Sequence, residues 1–396
     1  MGRILFNFHD VILWMTAMQC LFFALILATT NDSRSKGIYL LGGFLLLHAI
    51  IPLHELILWG GEFKFLVREQ WPELYFVGAT AYFLDGALLL LCVRAVLFED
   101  FTFQRRQWWH LLPACAFLIF MIAAFYQLPH AVRMFLIKSE RFVYDDGYVY
   151  ADAAAKCLRV LYAVCCLWMM VQYQRARRNT FSALSRQDFF WLLALIAGFL
   201  VVGVLELSLS LAKVVHLYRV VEFDVFVRMG LTGYYLTFLL ISLWVFTGLR
   251  FFNQFETVTR EMVMEPEPVD VPDTPVDPVL VQAIDDGMQR LKPHRDADLK
   301  LDQLADLLGF GPKELSVIIN RHFGKNFYEF VNLYRIQDAT NLLSSPDGVQ
   351  RTITEIYLAS GFNSKSVFNT FFKKKMGMTP SQFRRQVLSV STAVAA

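Results

Sequence analysis

The chain has 396 residues, room for two or three domains, and is 56% hydrophobic but only 18% charged, against soluble averages of roughly 45–50% and about 25%. The apolar excess lies before Phe252 and the sequence turns polar after it, which excludes a wholly water-exposed protein. The net charge of +2 averages unlike parts: seven acids against one base (Arg260) between Phe252 and Pro278, then eleven Lys or Arg against five acids between Gly309 and Gln386. An acidic spacer leading into a basic region favours nucleic acid as a partner.

A hydrocarbon core about 30 Å thick needs roughly 20 apolar residues per helix. Seven stretches qualify, near 9–30, 37–59, 73–97, 107–127, 153–173, 188–212 and 227–251. The first is read as a retained span, because its run from Val11 to Thr29 is longer than a signal-peptide core and no small-residue cleavage site follows. An odd number of spans with the basic region inside puts the N-terminus outside. The inner loops then carry Arg34 and Lys36, then Arg94, Arg105 and Arg106, then Arg175, Arg177, Arg178 and Arg186. The outer loops mix both signs, in line with the positive-inside bias, although Lys213, Arg219 and Arg228 fall outside. In the longest outer loop, Asp146-Gly147 between Phe142-Val143-Tyr144 and Tyr148-Val149-Tyr150 predicts a small aromatic hairpin.

Ionisable residues within spans each cost about 2.5–3.5 kcal/mol at mid-helix. His9 and Asp10, His48, His54 and Glu55, Asp85, and Glu206 stand in the first, second, third and sixth spans. In this orientation they fall in the middle and outer half, and His48 with Glu55, like Glu206 with Ser210, share a helix face. They are the candidate lining of a ligand cavity open to the outside, with Tyr144, Tyr148 and Tyr150 near its mouth. The competing reading is mutually satisfied polar pairs between helices, with no ligand. Lys156 and Arg159, near the outer end of the fifth span, are expected to snorkel to the interface. The six cysteines (Cys20, Cys92, Cys115, Cys157, Cys165, Cys166) all lie in apolar stretches, read as small hydrophobes. No metal motif and no cofactor motif is present, and a retinal-type pigment is excluded because the seventh span has no lysine.

Glu265-Pro266-Glu267-Pro268, followed by Pro272, Pro275 and Pro278, predicts an extended tether. From Pro278 the pattern is helical and repeats. Leu299, Leu301, Leu304, Ala305 and Leu308 mark a helix stopped by Gly309 and Gly311, and Leu315, Ile318 and Ile319 mark the next. A long helix near Phe327–Leu343 follows. Ile353, Ile356 and Tyr357 then precede a turn at Gly361-Phe362 and a helix through Phe368, Phe371 and Phe372, with a last helix opening at Thr379-Pro380. Helix, tight glycine turn and helix is the helix-turn-helix unit, here present twice.

These residues carry a resemblance. Leu301-x-x-Leu-Ala, Gly324-x-Asn-Phe-x-x-Phe, Arg335-Ile336-x-x-Ala339, Ser360-Gly361-Phe362-x-Ser364-x-Ser366-x-Phe368 and the ending Phe372-Lys373-Lys374 through Gly377-x-Thr379-Pro380-x-x-Phe383-Arg384 resemble the DNA-binding domain of the AraC/XylS family, over about 281–388. The resemblance implies two helix-turn-helix motifs joined by a linker helix, entering successive major-groove segments of one site. By position it implies Lys313, Ser316 and Val317, then Lys365, Ser366, Asn369 and Thr370, at base edges. Lys suits guanine and Asn suits adenine, whereas Val317 is equally explained by packing. Arg321, Lys325, Lys373 and Lys374 suit phosphates. Tyr357 departs from the family, which usually has Ala there, and puts the second motif's contacts in doubt. Nothing in the resemblance covers the seven spans.

The expected fold is all-α: a seven-transmembrane-helix bundle (1–252), an acidic Pro-rich linker (253–280), an AraC-type domain with two helix-turn-helix motifs (281–390) and a tail (391–396). The chain is expected not to be an enzyme, with no catalytic residues, no metal and no cofactor. Expected partners are double-stranded DNA, the lipid bilayer and an unidentified small-molecule or periplasmic signal, with a homodimer as an option. The expected place is a bacterial inner membrane. Two alternatives stay open: an inert membrane anchor, or a membrane enzyme or transporter with a fused regulatory domain. The scarcity of span prolines (Pro52 and Pro113 are the clear ones) weighs against a transporter.

Overall fold

The computed structural model describes residues 6–30, 36–98, 101–183, 186–251, 277–345, 348 and 350–394. Most of the predicted acidic tether, 253–276, lies outside the described residues. By internal contacts the chain forms two units, Met1–Val171 with Arg186–Thr259, and Gln172–Ser185 with Arg260–Ala396.

The first unit holds α1 (Phe8–Thr30), α2 (Lys36–Trp59), α3 (Phe63–Gln70), α4 (Ala81–Leu97), α5 (Leu112–Met121), α6 (His130–Lys138), most of α7 (Asp146–Thr180), α8 (Arg186–His216) and α9 (Phe223–Phe251). Among the described residues seven segments are long and apolar enough to cross a membrane: Phe8–Thr29, Tyr39–Trp59, Pro72–Leu97, Arg105–Tyr126, Asp146–Thr180, Leu192–His216 and Phe223–Phe246. Each overlaps a stretch read from the sequence. α1 packs along α2, α2 along α4, and α9 closes against α1 and α8. Phe22, Leu25, Ile119, Trp168, Leu239 and Phe246 remain exposed. Exposed apolar surface of this kind marks a protein or membrane contact, and helices satisfy their own backbone groups as a bilayer requires.

The predicted hairpin does not form. Phe142–Tyr144 is a single 3-10 turn, and α7 starts at Asp146. The Asp145 carboxylate accepts from the Gly147 amide at 3.0 Å, capping the new helix where a strand turn was expected. Burial decides the matter: Tyr148 packs on Phe76 and Phe142 in an aromatic core that also takes in Tyr75 and Phe125. Helical spacing puts Tyr148 there, while Tyr150 stays exposed and hydrogen-bonds to Tyr218.

The second unit contains α10 (Pro278–Leu291), α11 (Leu301–Leu308), α12 (Pro312–Phe323), α13 (Phe327–Ser344), α14 (Ile353–Ala359), α15 (Lys365–Met376) and α16 (Pro380–Val394). The last helix runs into the stretch expected to be a tail. Local chemistry sets the helix starts. Asp277 caps the Val279 amide, Asn326 caps Glu329, and Thr352 with Glu355 forms a reciprocal capping box. Two small cores result. Ile284, Leu304, Leu315, Ile319 and Phe330 centre the first; Ile336, Ile356, Phe362, Phe368 and Phe372 centre the second. The two ends of α13 belong one to each core, so this helix is the shared strut.

Candidate nucleic-acid interface and charged cavity

α11 and α12 meet across Gly309, whose φ of +76° suits a residue without a side chain. α14 and α15 meet across Gly361 at φ +87°, where a Cβ would lie 2.2 Å from the His294 carbonyl oxygen. Glycine is therefore required at that turn both by dihedral angle and by close packing. Tyr357, the departure from the family pattern, lies half-buried with its ring 5.7 Å from that of Phe368. The second core thus accommodates the larger ring without displacing Phe368, which remains fully buried.

The expected base-reading residues sit on the second helix of each motif. On α12, Lys313 is exposed and Ser316 and Val317 are half-buried. On α15, Lys365, Ser366, Asn369 and Thr370 are all exposed. Steps of three and four place each set on one helix face. Thr370 spends its hydroxyl on the Ser366 carbonyl at 2.8 Å, leaving its methyl as its free contact group. Arg321, Lys373 and Lys374 are exposed and Lys325 is half-buried. Two residues were missed. Asn320, seven after Lys313, shares its face and is exposed, with its amide on the Ser316 carbonyl. Lys375 is a third exposed cation in the run after Lys373. Helical spacing from Lys313 was the signal for the first.

Behind these faces, α13 holds a buried polar centre. The Arg335 guanidinium is 1% exposed. Its Nε donates to the His294 carbonyl at 2.8 Å, and Nη2 to the Asp296 and Ala297 carbonyls at 2.7 and 3.2 Å. Burial pushes this guanidinium down to about 10. Asp338 accepts from Arg295 at 2.7 and 3.1 Å and faces His294 at 3.6 Å. Burial alone would raise its carboxyl; hydrogen bonds and charge from His294 and Arg295 outweigh that and hold it well below the usual range.

In the first unit a cavity of about 350 Å³ opens among α1, α2, α4, α7, α8 and α9. Of the predicted lining, His9, Asp10, His48, Glu55 and Glu206 border it, as does Tyr144. Asp85 and His54 do not. Asp85 is fully buried behind it, bound to Arg159 Nε at 2.8 Å and 3.8 Å from His48. His54 and Tyr148 border a second, much smaller cavity beside it. Asp10 has a local role, since Asn7 and Asp10 cap the start of α1 reciprocally at 2.9 Å and Asp10 also accepts from the Gly61 amide.

Lys156 and Arg159 do not snorkel; they are 6% and 1% exposed. Three carboxylates, Asp85, Asp152 and Glu206, draw them inward. Glu206 pairs with Arg159 and, at 3.5 Å, with Lys156. Asp152 accepts from Ser210 at 2.5 Å and lies 3.6 Å from Lys213 and 4.0 Å from Lys156. Glu55 accepts from Tyr82 at 2.5 Å and from Tyr234 at 2.9 Å. Asp152, Lys213, Tyr82 and Tyr234 were missed from the sequence, although Asp152, Lys156 and Arg159 fall on one face of α7 at steps of four and three. Among the described residues no group of three or more His, Cys, Asp or Glu side chains is placed to hold a metal ion.

Two helix-turn-helix motifs braced by one connecting helix present exposed cations on both second helices, an arrangement suited to nucleic acid. The family model described as "Helix-turn-helix domain" matches residues 304–386, inside this unit. An uncharacterized HTH-type transcriptional regulator of Staphylococcus aureus (strain COL) is 35% identical over 91 residues, 23% of this chain and 12% of the relative. The uncharacterized HTH-type transcriptional regulator YtdP of Bacillus subtilis (strain 168) is 32% identical over 95 residues, 24% of this chain and 12% of the relative. The matched stretch thus spans only about an eighth of these relatives' length, and it leaves the seven apolar helices uncovered. No solved structure matches the chain.

Proposed function

We propose that the chain is a membrane-embedded, one-component transcription regulator of AraC type and not an enzyme. In this reading the seven apolar helices lie in a bacterial inner membrane, with the N-terminus outside and the helix-turn-helix unit in the cytoplasm on double-stranded DNA. Lys313, Ser316, Val317, Lys365, Ser366, Asn369 and Thr370 read bases, while Arg321, Lys325, Lys373 and Lys374 hold phosphates. The orientation draws support from the loop charges and from the division of the chain, because Gln172–Ser185, which includes the end of α7 that it puts inside, belongs to the DNA-binding unit.

One observation carries the sensing half: a cavity of about 350 Å³ bordered by charged side chains from three separate spans, Glu55, Asp152 with Lys156, and Glu206 with Lys213. A fixed anchor has no need of so costly an arrangement. A small molecule entering from outside would change the balance of two bundle states only by binding them unequally. The test is neutral replacement. Glu206→Gln and Asp85→Asn are expected to leave the protein in the membrane fraction and able to bind DNA, with transcription of its target held on or off in cells. Variants that regulate over the wild-type range would reduce the seven helices to an anchor.

A further inference from the structure

Ser182, just past the end of α7, is fully buried in the DNA-binding unit. Its amide donates to the Leu299 carbonyl at 3.1 Å. Its carbonyl accepts from Arg335 Nη1 at 2.9 Å and Asn332 Nδ2 at 3.2 Å, and its hydroxyl accepts from Arg335 Nη2 at 2.9 Å. Beside it Phe181 forms an antiparallel bridge with Lys300, whose ammonium lies over the Phe181 ring. Four hydrogen bonds, all made by Ser182, thus tie the loop between the fifth and sixth apolar helices to α13 and to the residue two before α11. The approach to Ser182 is ordered as well. Tyr173, Ala176, Arg177 and Thr180, at steps of three and four, are all buried.

We infer that Phe181-Ser182 is a latch through which α7 acts on the helix-turn-helix pair, and that its partner surface is the Arg335–Asn332 face of α13 with Lys300. The proposal rests on reading the chain as a membrane-embedded regulator, and it names the part that transmits. The physical reason is the Arg335 guanidinium. Buried between the two cores, it needs acceptors on every donor, and Ser182 supplies the short partner of Nη1 and one of those of Nη2. When the latch leaves, a buried cation loses acceptors, so water or a shift of α13 must replace them. Since α13 joins both cores, a shift there resets the spacing of the two recognition helices. α7 is one continuous helix from Asp146 to Thr180. It carries Asp152, Lys156 and Arg159 of the cavity network at one end and the latch at the other.

The test uses the full-length protein in native membranes. Hydrogen bonding of the Ser182 amide to the Leu299 carbonyl makes Phe181 and Lys300 a non-hydrogen-bonded antiparallel pair. Their Cα atoms should be about 4.5 Å apart, within disulfide range. Phe181→Cys with Lys300→Cys, plus a protease site inserted near Pro272, is oxidised and cut. With the six native cysteines replaced by alanine, the two fragments are expected to stay joined until reduced, and variants carrying only one of the two introduced cysteines are expected to fall apart. The oxidised protein should hold transcription in one state. Fragments that never join, or a joined protein that regulates normally, would overturn the latch. Ser182→Lys, which sets an ammonium against Arg335, is the second variant. It should abolish regulation and change affinity for the target site, because the spacing of the recognition helices is reset, in a chain that circular dichroism shows to be folded. Normal regulation by Ser182→Lys also overturns the proposal. Failure of the cavity variants with an intact cross-link would instead sink only the sensing reading.

Discussion

Replacing Lys373 and Lys374 with alanine should flatten the salt dependence of DNA binding by a calculable amount. Both side chains are exposed. The ion pair of Lys374 with Glu329, at 3.9 Å and 76% exposed on the lysine, is of a kind worth little to stability. Four cations are assigned to phosphates: Arg321, Lys325, Lys373 and Lys374. Each phosphate neutralised contributes about −0.9 to the slope of log affinity against log salt, so the wild-type slope should be about −3.6. Raising salt from about 50 to about 200 mM should then weaken binding roughly 150-fold. With two cations removed the slope falls to about −1.8 and the loss to roughly 12-fold. The assay is fluorescence anisotropy with labelled duplex and the full chain in a neutral detergent, at several salt concentrations, with circular dichroism as the folding control. A folded double variant whose slope equals that of the wild type would refute the assignment of these lysines to phosphates.

Two further outcomes are expected. Asp338 is held below its ordinary range by His294 and Arg295. Its stabilising contribution is therefore present above the unfolded carboxyl value of about 3.9 and fades as pH falls toward the native value. The melting temperature of a 279–396 fragment, followed by circular dichroism, should fall through this acid window, and Asp338→Asn should lower the neutral-pH value and flatten the fall; an unchanged acid profile would count against it. Reporter fusions should show Gly147 outside and Thr180 inside the membrane, and activity of a periplasm-only reporter at Thr180 would reverse the proposed topology.

What could be read from the sequence alone is what local chemistry and periodicity govern. Runs of about 20 apolar residues marked seven helices because lipid demands such runs whatever the packing around them. Gly309 and Gly361 between helical repeats marked the two motifs because a tight turn with positive φ depends on one residue. Thr379 before Pro380 marked the start of the last helix for the same local reason.

Contacts between distant segments were decided only by the tertiary structure. Asp146-Gly147 reads as a hairpin turn in isolation, yet the aromatic core around Phe76 gains more from Tyr148 on a helix. Lys156 and Arg159 read as interfacial cations, since lone charges in lipid seek water, but Asp85, Asp152 and Glu206 offset their burial. Asp85 stands 74 positions before Arg159 and Glu206 47 positions after it, and spacing along one helix carries no record of which helix faces it. Ser182 is the plainest case. Nothing in a small polar residue beside a run of arginines marks it, because its role comes from Arg335, 153 residues further along the chain, whose buried guanidinium needs an acceptor that only folding brings within reach.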